Sequence, residues 1–571
     1  MKITSSLVTF SAVITMLLGC NANTSPKFTY TALEIVQSDC QRSQNSEKVT
    51  ITNENLSKSV NDSNGCYGNN EKLCDVRIYE VMVESFNHSD KGPKGYQVAW
   101  GPSKHGGNLQ GIIEKLDYIK STGANAIWLT PIFASKKIEG QDWTYDNLDA
   151  TGYFTSDYFA IDENFGTKED LKELVNKAHK MGMYVILDAV FGHAKENVNT
   201  VSPKGNKLYL TPRCRTEFDT IDKVSLKLAR CSEPSKSLEF YKDVVEYWID
   251  EVKVDGFRLD QAYQLAPEYW SQIFDHVQMV SQRKSNAYRL AGKTVQPLGF
   301  MVSEVWSDNP RILEANTFKV GKNLTSFDFP LATNIRKVFG ETYKECMIDA
   351  STLNQSLIKS RGYTKPGITT SFIGNHDLPR LGDVIERSRV EKEGSLTPNY
   401  YKAHEAAYSF LASISSPIQM YYGEEVGAEV LNFAEEPQKC VETYRCDDHV
   451  SRSDVDFVNL SNEQKQLKNN IAKFLNLRDQ YKSLAHGIRR HVYSDDSIYI
   501  DLKQTTNESI LYFLNVGEKA RNVQFEGSAI KTLGFKNNCS LENLITHETF
   551  SFSNQLTIKP LSGSFYKVNC M

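Results

Sequence analysis

The chain has 571 residues, a formal net charge of -5 and an isoelectric point near 6.2. This length exceeds one ordinary hydrophobic core, and it fits a large barrel with one or two appended domains. The charge balance argues against a nucleic-acid partner, because proteins that bind nucleic acids present a strongly basic face. A neutral substrate such as a carbohydrate needs no charge steering and agrees with these values.

The N-terminus has the pattern of an export signal. Lys2 precedes an apolar stretch at 7–18, which is too short to span a bilayer as a permanent helix. The sequence Leu-Leu-Gly-Cys at 17–20 resembles a bacterial lipobox, whose cysteine becomes the lipidated first residue of the mature protein. We therefore expect residues 1–20 to be a lipoprotein signal peptide, with Cys20 as the lipidation site and the only membrane contact. The expected location is the bacterial cell envelope, at the outer membrane or cell surface; a plain signal peptide with a periplasmic or secreted product is the alternative.

The cysteine count supports export. There are 11 cysteines, and setting Cys20 aside leaves an even number, which is typical of disulfides formed in an oxidising compartment. Local spacing predicts four pairs and leaves two cysteines to join the N-terminal segment to the main domain. The predicted pairs are Cys66 with Cys74, Cys214 with Cys231, Cys440 with Cys446, Cys539 with Cys570, and Cys40 with Cys346.

Residues 21–72 are rich in Asn, Ser, Lys and Thr, and this composition predicts an N-terminal arm or linker. From residue 77 the pattern alternates between strands and helices. Strands are predicted at 77–83, 126–130 and 184–188. One amphipathic helix is predicted at 109–121, and a second begins at Thr167 with Asp170 completing a capping box.

Five further strand-and-helix units follow, with a last helix that begins at Ser461 and has a capping box with Gln464. The strands end near Asp260, Glu304, Phe327, Asp377 and Tyr422, and helices are predicted at 238–251, 267–283, 310–315, 334–339 and 404–413.

Eight such units predict an α/β fold, a (β/α)8 TIM barrel over 73–484. A small inserted subdomain at 194–237 is expected after the third strand. Alternating apolar residues from 485 onward predict a C-terminal antiparallel β-domain at 485–571.

Three carboxylates, Asp260, Glu304 and Asp377, each follow a short apolar run. We therefore expect each of them at the C-terminal tip of a strand, where barrel enzymes hold their catalytic groups. Two carboxylates and a third acid in one pocket are the groups that cleave a glycosidic bond. The sequence thus predicts a glycosidase.

The ordered motifs resemble the α-amylase superfamily, glycoside hydrolase family 13. The segments that carry the resemblance lie at 188–193, 256–260, 301–306 and 375–377, with support at 128–131, 152–158, 162–167 and 421–425. The resemblance covers residues 75–571 and implies a retaining hydrolase of α-glucosidic bonds in starch, glycogen or maltooligosaccharides. The expected linkage is α-1,4.

The resemblance assigns roles to the three acids. Asp260 is expected to be the nucleophile and Glu304 the acid/base, while Asp377 is expected to bind sugar hydroxyls and favour the distorted sugar ring. Arg258 lies two residues before Asp260, so on a strand both side chains point to the same side. We expect this cation to keep Asp260 ionised at neutral pH.

The resemblance also implies sugar contacts in the same subsite. His193 and His376 are expected to donate hydrogen bonds to sugar hydroxyls. Tyr153 is expected to stack under the sugar ring.

Departures from the family pattern bear on metal and specificity. The resemblance implies no cofactor for the chemistry, but family members often place an Asn that ligates a structural calcium just before the histidine; here that position is Gly192. The family's calcium-binding loop after the first strand is also replaced, by residues 87–92. Calcium is therefore left open. Many α-amylases follow the nucleophile with Ala-x-Lys-His, whereas residues 261–264 read Gln-Ala-Tyr-Gln, which leaves linkage and endo or exo action open.

Two alternatives share these residues: a transglycosylase and an exo-acting α-glucosidase. A third, from another class, is a non-catalytic glycan-binding subunit. Such relatives usually lose one of the acids, and here Asp260, Glu304 and Asp377 are all retained in their motifs.

Overall fold

The computed structural model describes residues 47–57, 66–67, 72–141, 143–211, 229–290, 297–317, 324–340, 349–361, 367–389, 399–430 and 450–570. The predicted signal peptide with Cys20 lies outside these residues, so the lipid anchor stays a prediction. Three of the predicted cysteine pairs also have a member outside them. Within the described residues, no helix combines the length and the apolar character that a membrane span requires.

Eight parallel strands form the central sheet, and each pairs with the next along the chain. The last strand, Ile418–Tyr421, returns to pair with the first, Arg77–Val81. A parallel bridge between Ser371 and Ile418 joins the end of the seventh strand, Thr369–Thr370, to the last. The sheet thereby closes into the predicted barrel. The strands are β1 Arg77–Val81, β2 Ala126–Leu129, β3 Tyr184–Ala189, β4 Gly256–Leu259, β5 Phe300–Ser303, β6 Thr325–Phe327, β7 Thr369–Thr370 and β8 Ile418–Tyr421.

Alternation along the strands separates the barrel interior from the surrounding helical layer, because successive side chains of a strand point to opposite faces. On β3, Val185 and Leu187 belong to the large outer core, whereas Ile186 belongs to a small inner cluster with Trp128. The inner cluster fills the barrel with apolar side chains. The same alternation directs polar residues at the strand ends inward, toward the C-terminal mouth.

Helices surround the barrel, and both predicted capping boxes are present: Thr167 with Asp170, and Ser461 with Gln464. The helix predicted at 109–121 is interrupted at Lys115, where the backbone leaves the helical region. The barrel-domain helices are Val83–Phe86, Leu109–Glu114, Leu116–Ser121, Trp143–Ala150, Lys168–Lys180, Pro234–Glu251, Pro267–Leu290, Pro310–Asn316, Phe329–Phe339, Ser351–Arg361, Leu381–Arg389, Tyr400–Ser413, Asn462–Gln480 and Lys482–His486.

Two segments inserted between barrel strands lie beside the mouth of the barrel. Between β2 and β3, Phe133–Ala134 pairs with Asp157–Ile161. After β3, His193–Lys195 pairs antiparallel with Ala229–Cys231, at the two ends of the predicted subdomain 194–237. Residues 212–228 of that subdomain lie outside the described residues.

The C-terminal domain contains the predicted antiparallel sheet and one helix, Gly527–Thr532. Its six strands, in spatial order, are Ile488–Ser494, Ile498–Gln504, Ser509–Asn515, Ser562–Asn569, Ser540–Asn543 and Thr549–Ser551.

The N-terminal arm contributes a strand to this domain, which its polar composition does not predict. Lys48–Ile51 pairs in parallel with Arg521–Phe525, and Leu556–Ile558 completes this second, three-stranded sheet. Ile51 is fully buried in the domain core. Within the arm or linker predicted over 21–72, this part is therefore a strand, because an apolar face buried against a strand far away in the chain holds it in place.

Two of the predicted disulfides are present, Cys66 with Cys74 and Cys539 with Cys570. The first pair lies directly before β1, where both cysteines pack with Ile368. The second pair joins the end of the chain to the C-terminal domain core, to which Cys539 belongs.

Candidate active site

Asp260 and Glu304 lie side by side at the mouth of the barrel. Asp260 follows β4 and Glu304 follows β5, and the parallel register aligns Leu259 with Ser303, the residues just before them. The backbone N–H of Glu304 donates to the carbonyl of Leu259 at 2.9 Å, and that of Ala262 donates to the carbonyl of Glu304 at 2.8 Å. The two acids are therefore held on adjacent strand ends, as predicted.

One guanidinium group joins the two acids. The Nη1 atom of Arg258 lies 2.9 Å from Oδ1 of Asp260, and its Nη2 atom lies 3.0 Å from Oε2 of Glu304. The Arg258 side chain is 1% exposed. Because a guanidinium is planar and rigid, these contacts fix the two carboxyl groups relative to each other.

The environment of Glu304 suits a proton donor. Burial raises the pKa of the Glu304 carboxyl to about 7, with the negative charges of Asp260 and Asp377 acting in the same direction and Arg258 opposing them. Oε2 accepts hydrogen bonds from Arg258 and from the backbone N–H of Gln261, the latter at 2.8 Å. When Glu304 is protonated, its proton is therefore on the other oxygen, Oε1.

One carboxylate oxygen of Asp260 accepts a hydrogen bond, and the other has no hydrogen-bond partner among the described residues. Oδ1 accepts from Arg258, whereas the buried Oδ2 has no hydrogen-bond partner among the described residues. Burial raises the pKa of Asp260 above its usual value, and Arg258 opposes the rise. The attraction to Arg258 could be predicted from the sequence, whereas this cost of burial could not.

Asp377 lies further from its strand than predicted. β7 ends at Thr370, so Asp377 belongs to the following loop rather than to a strand tip. Its Oδ1 lies 2.9 Å from Nη2 of Arg452, and its Oδ2 lies 3.1 Å from Nε2 of His376. A cation and an imidazole thus hold this third acid at the mouth of the barrel.

His376 is engaged at both ring nitrogens. Nδ1 lies 2.6 Å from Oε1 of Glu80, and Nε2 lies 2.7 Å from the Tyr153 hydroxyl. Although burial lowers it, the pKa of His376 is raised to about 9 by the nearby carboxylates of Asp377 and Glu80. The ring is therefore positively charged at neutral pH and donates from both nitrogens.

Tyr153 and His193 connect the segment inserted between β2 and β3 with the loop that follows β3. The Tyr153 hydroxyl donates to Oδ2 of Asp188 at 3.1 Å. His193 has Nε2 3.0 Å from the Tyr153 carbonyl and Nδ1 3.3 Å from Oε1 of Gln264. Both of its ring nitrogens thus have protein partners, and the sugar contacts expected for Tyr153, His193 and His376 stay predictions.

Three further residues complete the site, and their roles were not predicted from the sequence. Asp188 accepts from Nη1 of Arg258 with both oxygens at 3.0 Å, and burial raises the pKa of Asp188 to about 6. Glu80 is the buried acid in the apolar run of β1. Both could have been found as acids within strand-forming segments, whereas Arg452 follows residues 431–449 and carries no motif.

The residues present do not fit the calcium site that the family implies. Calcium takes six to eight oxygen ligands. Gly192 provides no side-chain ligand, and the Gln264 side chain fills the space where a side chain at 192 would lie. Among the described residues, no group of three or more His, Cys, Asp or Glu is arranged to hold a metal ion.

The protonation of Glu304 predicts a pH dependence. In its predicted role as the acid, Glu304 must be protonated to act, so kcat/KM for a maltooligosaccharide, the expected substrate, should fall as the pH rises through about 7. The decline at low pH is expected to report Asp260, which in its predicted role as nucleophile must lose its proton before it can attack. Initial rates at substrate concentrations well below KM, measured across the acid and alkaline range, give this profile. If kcat/KM stayed constant far above pH 7, Glu304 could not be the acid.

The closed barrel with paired acids at its C-terminal mouth defines a barrel enzyme of the glycosidase type. The chain belongs to the α-amylase family, because the family model "Alpha amylase, catalytic domain" matches residues 78–209 and 231–507. The resemblance seen in the motifs is thereby confirmed, and the protein is an α-amylase-family hydrolase.

Similar proteins support this placement. A cyclomaltodextrinase from Thermoanaerobacter pseudethanolicus is 26% identical over 79% of this chain and 71% of its own length. An intracellular maltogenic amylase from Bacillus subtilis is 24% identical over 84% of this chain and 74% of its own length. AmyP, whose crystal structure in complex with maltose is known, is 36% identical in sequence to this chain. The match covers 87% of this chain and 97% of the AmyP chain, and its TM-score is 0.76. A variant of AmyP has been solved with maltotriose.

Proposed function

We propose that this protein is a retaining glycoside hydrolase that cleaves α-1,4-glucosidic bonds in maltooligosaccharides and related α-glucans through a covalent glycosyl-enzyme. The observation that carries the proposal is the single guanidinium of Arg258, which holds Asp260 and Glu304 on adjacent strands. Neighbouring strands are about 4.8 Å apart. A retaining enzyme needs its two carboxyl groups about 5–5.5 Å apart, whereas an inverting enzyme needs about 6.5–9.5 Å.

In the first step, Oδ2 of Asp260 attacks the anomeric carbon while the proton on Glu304 passes to the glycosidic oxygen. The bond to the leaving sugar breaks, and an ester to Asp260 forms. Arg258 stabilises Oδ1, whereas the buried Oδ2 forms no hydrogen bond within the described residues, so no protein donor competes for its lone pairs.

In the second step, Glu304, now ionised, removes a proton from a water molecule. The hydroxide attacks the anomeric carbon and releases Asp260. A pKa near 7 serves both steps, because Glu304 then gives and accepts a proton with little cost at neutral pH.

The remaining groups stabilise the charged sugar between these steps. Asp377 carries negative charge beside the reacting centre, and His376 and Arg452 keep that carboxylate in place. A positively charged oxocarbenium-like ring is favoured by such a carboxylate. Tyr153, half-buried with its hydroxyl fixed by His376, offers an aromatic face to the ring.

The names of similar proteins support the substrate class. The relatives are named cyclomaltodextrinase and maltogenic amylase, and AmyP was crystallised with maltose. All of these names refer to α-linked glucose oligomers. The retained acids argue against a non-catalytic glycan-binding subunit.

Transglycosylation uses the same intermediate, with a second sugar in place of water. Two exposed aromatic rings lie beyond the acids, Tyr263 after Asp260 and Trp306 after Glu304, each 48% exposed. Trp306 lies flat on Phe329, with ring centroids 5.6 Å apart and planes at 15°, so its other face is open to a leaving or incoming sugar. Products longer than the substrate, formed from maltotriose, would indicate transglycosylation, and release of single glucose units would indicate exo action.

The stereochemistry of the product tests the proposed mechanism. Two successive inversions at the anomeric carbon retain the α configuration. Proton NMR during hydrolysis of a maltooligosaccharide is therefore expected to show the α-anomer first, with the β-anomer appearing only through mutarotation. A β-anomer as the first product would refute both the nucleophile and the retaining mechanism.

A further inference from the structure

The loop after β3 carries His193, and it must be fixed in place for the site to form. In the family this is a position for a structural calcium. Here the expected ligand position is Gly192, and the fold places other side chains around it.

Gln264 occupies the space beside Gly192. A Cβ atom built on Gly192 would lie 1.6 Å from Oε1 of Gln264 and 2.5 Å from its Cβ and Cδ atoms. The absence of a side chain at 192 is therefore what admits the Gln264 amide. The two residues are complementary, since a larger residue at 192 and glutamine at 264 exclude each other.

The Gln264 amide also cross-links two loops at the mouth of the barrel. Its Oε1 lies 3.3 Å from Nδ1 of His193, and its Nε2 donates to Oε1 of Gln261 at 2.8 Å. The loop after β3 is thereby joined to the turn that follows Asp260. The carbonyl of Gly192 already accepts from the backbone N–H of Ser232 at 3.1 Å.

A buried ammonium group holds the other side of the same loop. Nζ of Lys195 lies 2.6 Å from both carboxylate oxygens of Asp149 and 3.1 Å from Oε1 of Gln141. The Lys195 and Asp149 side chains are 0% and 1% exposed. A buried pair of this kind joins the loop after β3 to the segment that ends in Tyr153.

We propose that side chains replace calcium in this enzyme: the Gln264 amide in the space beside Gly192 and the Lys195 ammonium paired with Asp149 fix the loop that carries His193. The protein therefore folds and acts without a divalent cation. Lys195 and Gln264 are positioning residues, because they act on the site through His193 and Tyr153.

The first test uses the unaltered protein. Apparent Tm and maltotriose hydrolysis are measured after EGTA treatment and again with added calcium chloride. We expect neither quantity to change in either condition. A lower Tm or lost activity in EGTA, restored by calcium, would overturn the proposal whatever the variants show.

The second test uses reciprocal substitutions. Gly192→Ala pushes a methyl group into Gln264 and is expected to lower kcat/KM, while Gln264→Ala removes the cross-link to His193. In the double variant G192A/Q264A the clash is gone, so it is expected to be less impaired than Gly192→Ala alone. A double variant no better than Gly192→Ala would overturn the assignment. Gln272→Ala, on the exposed surface of the next helix, is the matched control and should behave as wild type.

The third test concerns the buried charge. Lys195→Met keeps the length of the side chain but leaves Asp149 buried without its cation, so apparent Tm is expected to fall by several degrees. Because the loop is loosened, kcat/KM should fall as well. Lys236→Met, at a side chain that is 61% exposed, is the control. A Lys195→Met variant with unchanged Tm and activity would refute the role of Lys195.

Discussion

Asp260→Asn is expected to abolish turnover, with kcat lowered by at least about 10⁴-fold, a loss typical of removing a residue that forms the covalent intermediate. The amide is a poor nucleophile, so no glycosyl ester can form. The amide oxygen can still accept the hydrogen bond from Arg258 at the Oδ1 position. The fold should therefore persist, and the loss should lie in kcat.

Hydrolysis of maltotriose by purified Asp260→Asn, with circular dichroism and thermal unfolding as checks on the fold, measures this effect. Asp117→Asn, an exposed aspartate on the helix Leu116–Ser121, is the matched control and should retain full activity. Asp260→Ala adds a chemical test, since azide can enter the space and attack the anomeric carbon. A β-glycosyl azide product would confirm the face of attack, and substantial hydrolysis by Asp260→Asn would show that another residue is the nucleophile.

The barrel could be predicted because its signals are local. Each strand is a short apolar run, and the strand ends that carry Asp188, Asp260 and Glu304 follow directly from it. β7 was the exception. This strand contains two residues, and beyond them the sheet continues as a single bridge at Ser371. Asp377 therefore lies several residues beyond the end of the strand, although an apolar run precedes it in the sequence.

Features that depend on distant partners could not be predicted. Lys48–Ile51 is a strand because Arg521–Phe525 lies beside it, and four residues in a polar arm give no such signal. Ser351–Arg361 was missed as a helix because Leu353 and Leu357 are its two buried apolar residues, too few for a clear helical period. Arg452 reaches Asp377 from a segment without a motif.

The pKa values of the acids at the site also depend on how deeply each carboxyl is buried, which a sequence does not show. The spacing of Arg258 and Asp260 correctly predicted their contact. The pKa of Asp260 is nonetheless raised, because the cost of removing a carboxylate from water exceeds the attraction to Arg258. The arginine is shared with Asp188 and Glu304, so its charge is divided among three acids.

Glu304→Gln is expected to lower kcat/KM for maltooligosaccharides by about 10²–10⁴-fold, the usual contribution of a general acid. The leaving sugar needs a proton on its glycosidic oxygen, and glutamine cannot supply one. The amide oxygen can keep the contacts of Oε2 with Arg258 and the Gln261 N–H, so the fold and Asp260 should be preserved.

The choice of leaving group separates this role from a structural one. An α-maltosyl fluoride loses fluoride, which leaves without a proton, so Glu304→Gln should form the glycosyl-enzyme from it at a rate close to that of the wild type. The variant should also lose the decline of kcat/KM above pH 7, since that decline reports the deprotonation of Glu304. Glu169→Gln, at an exposed side chain, serves as the matched control. If Glu304→Gln slowed both substrates equally and kept the wild-type pH profile, Glu304 would be a structural partner of Arg258 and not the acid.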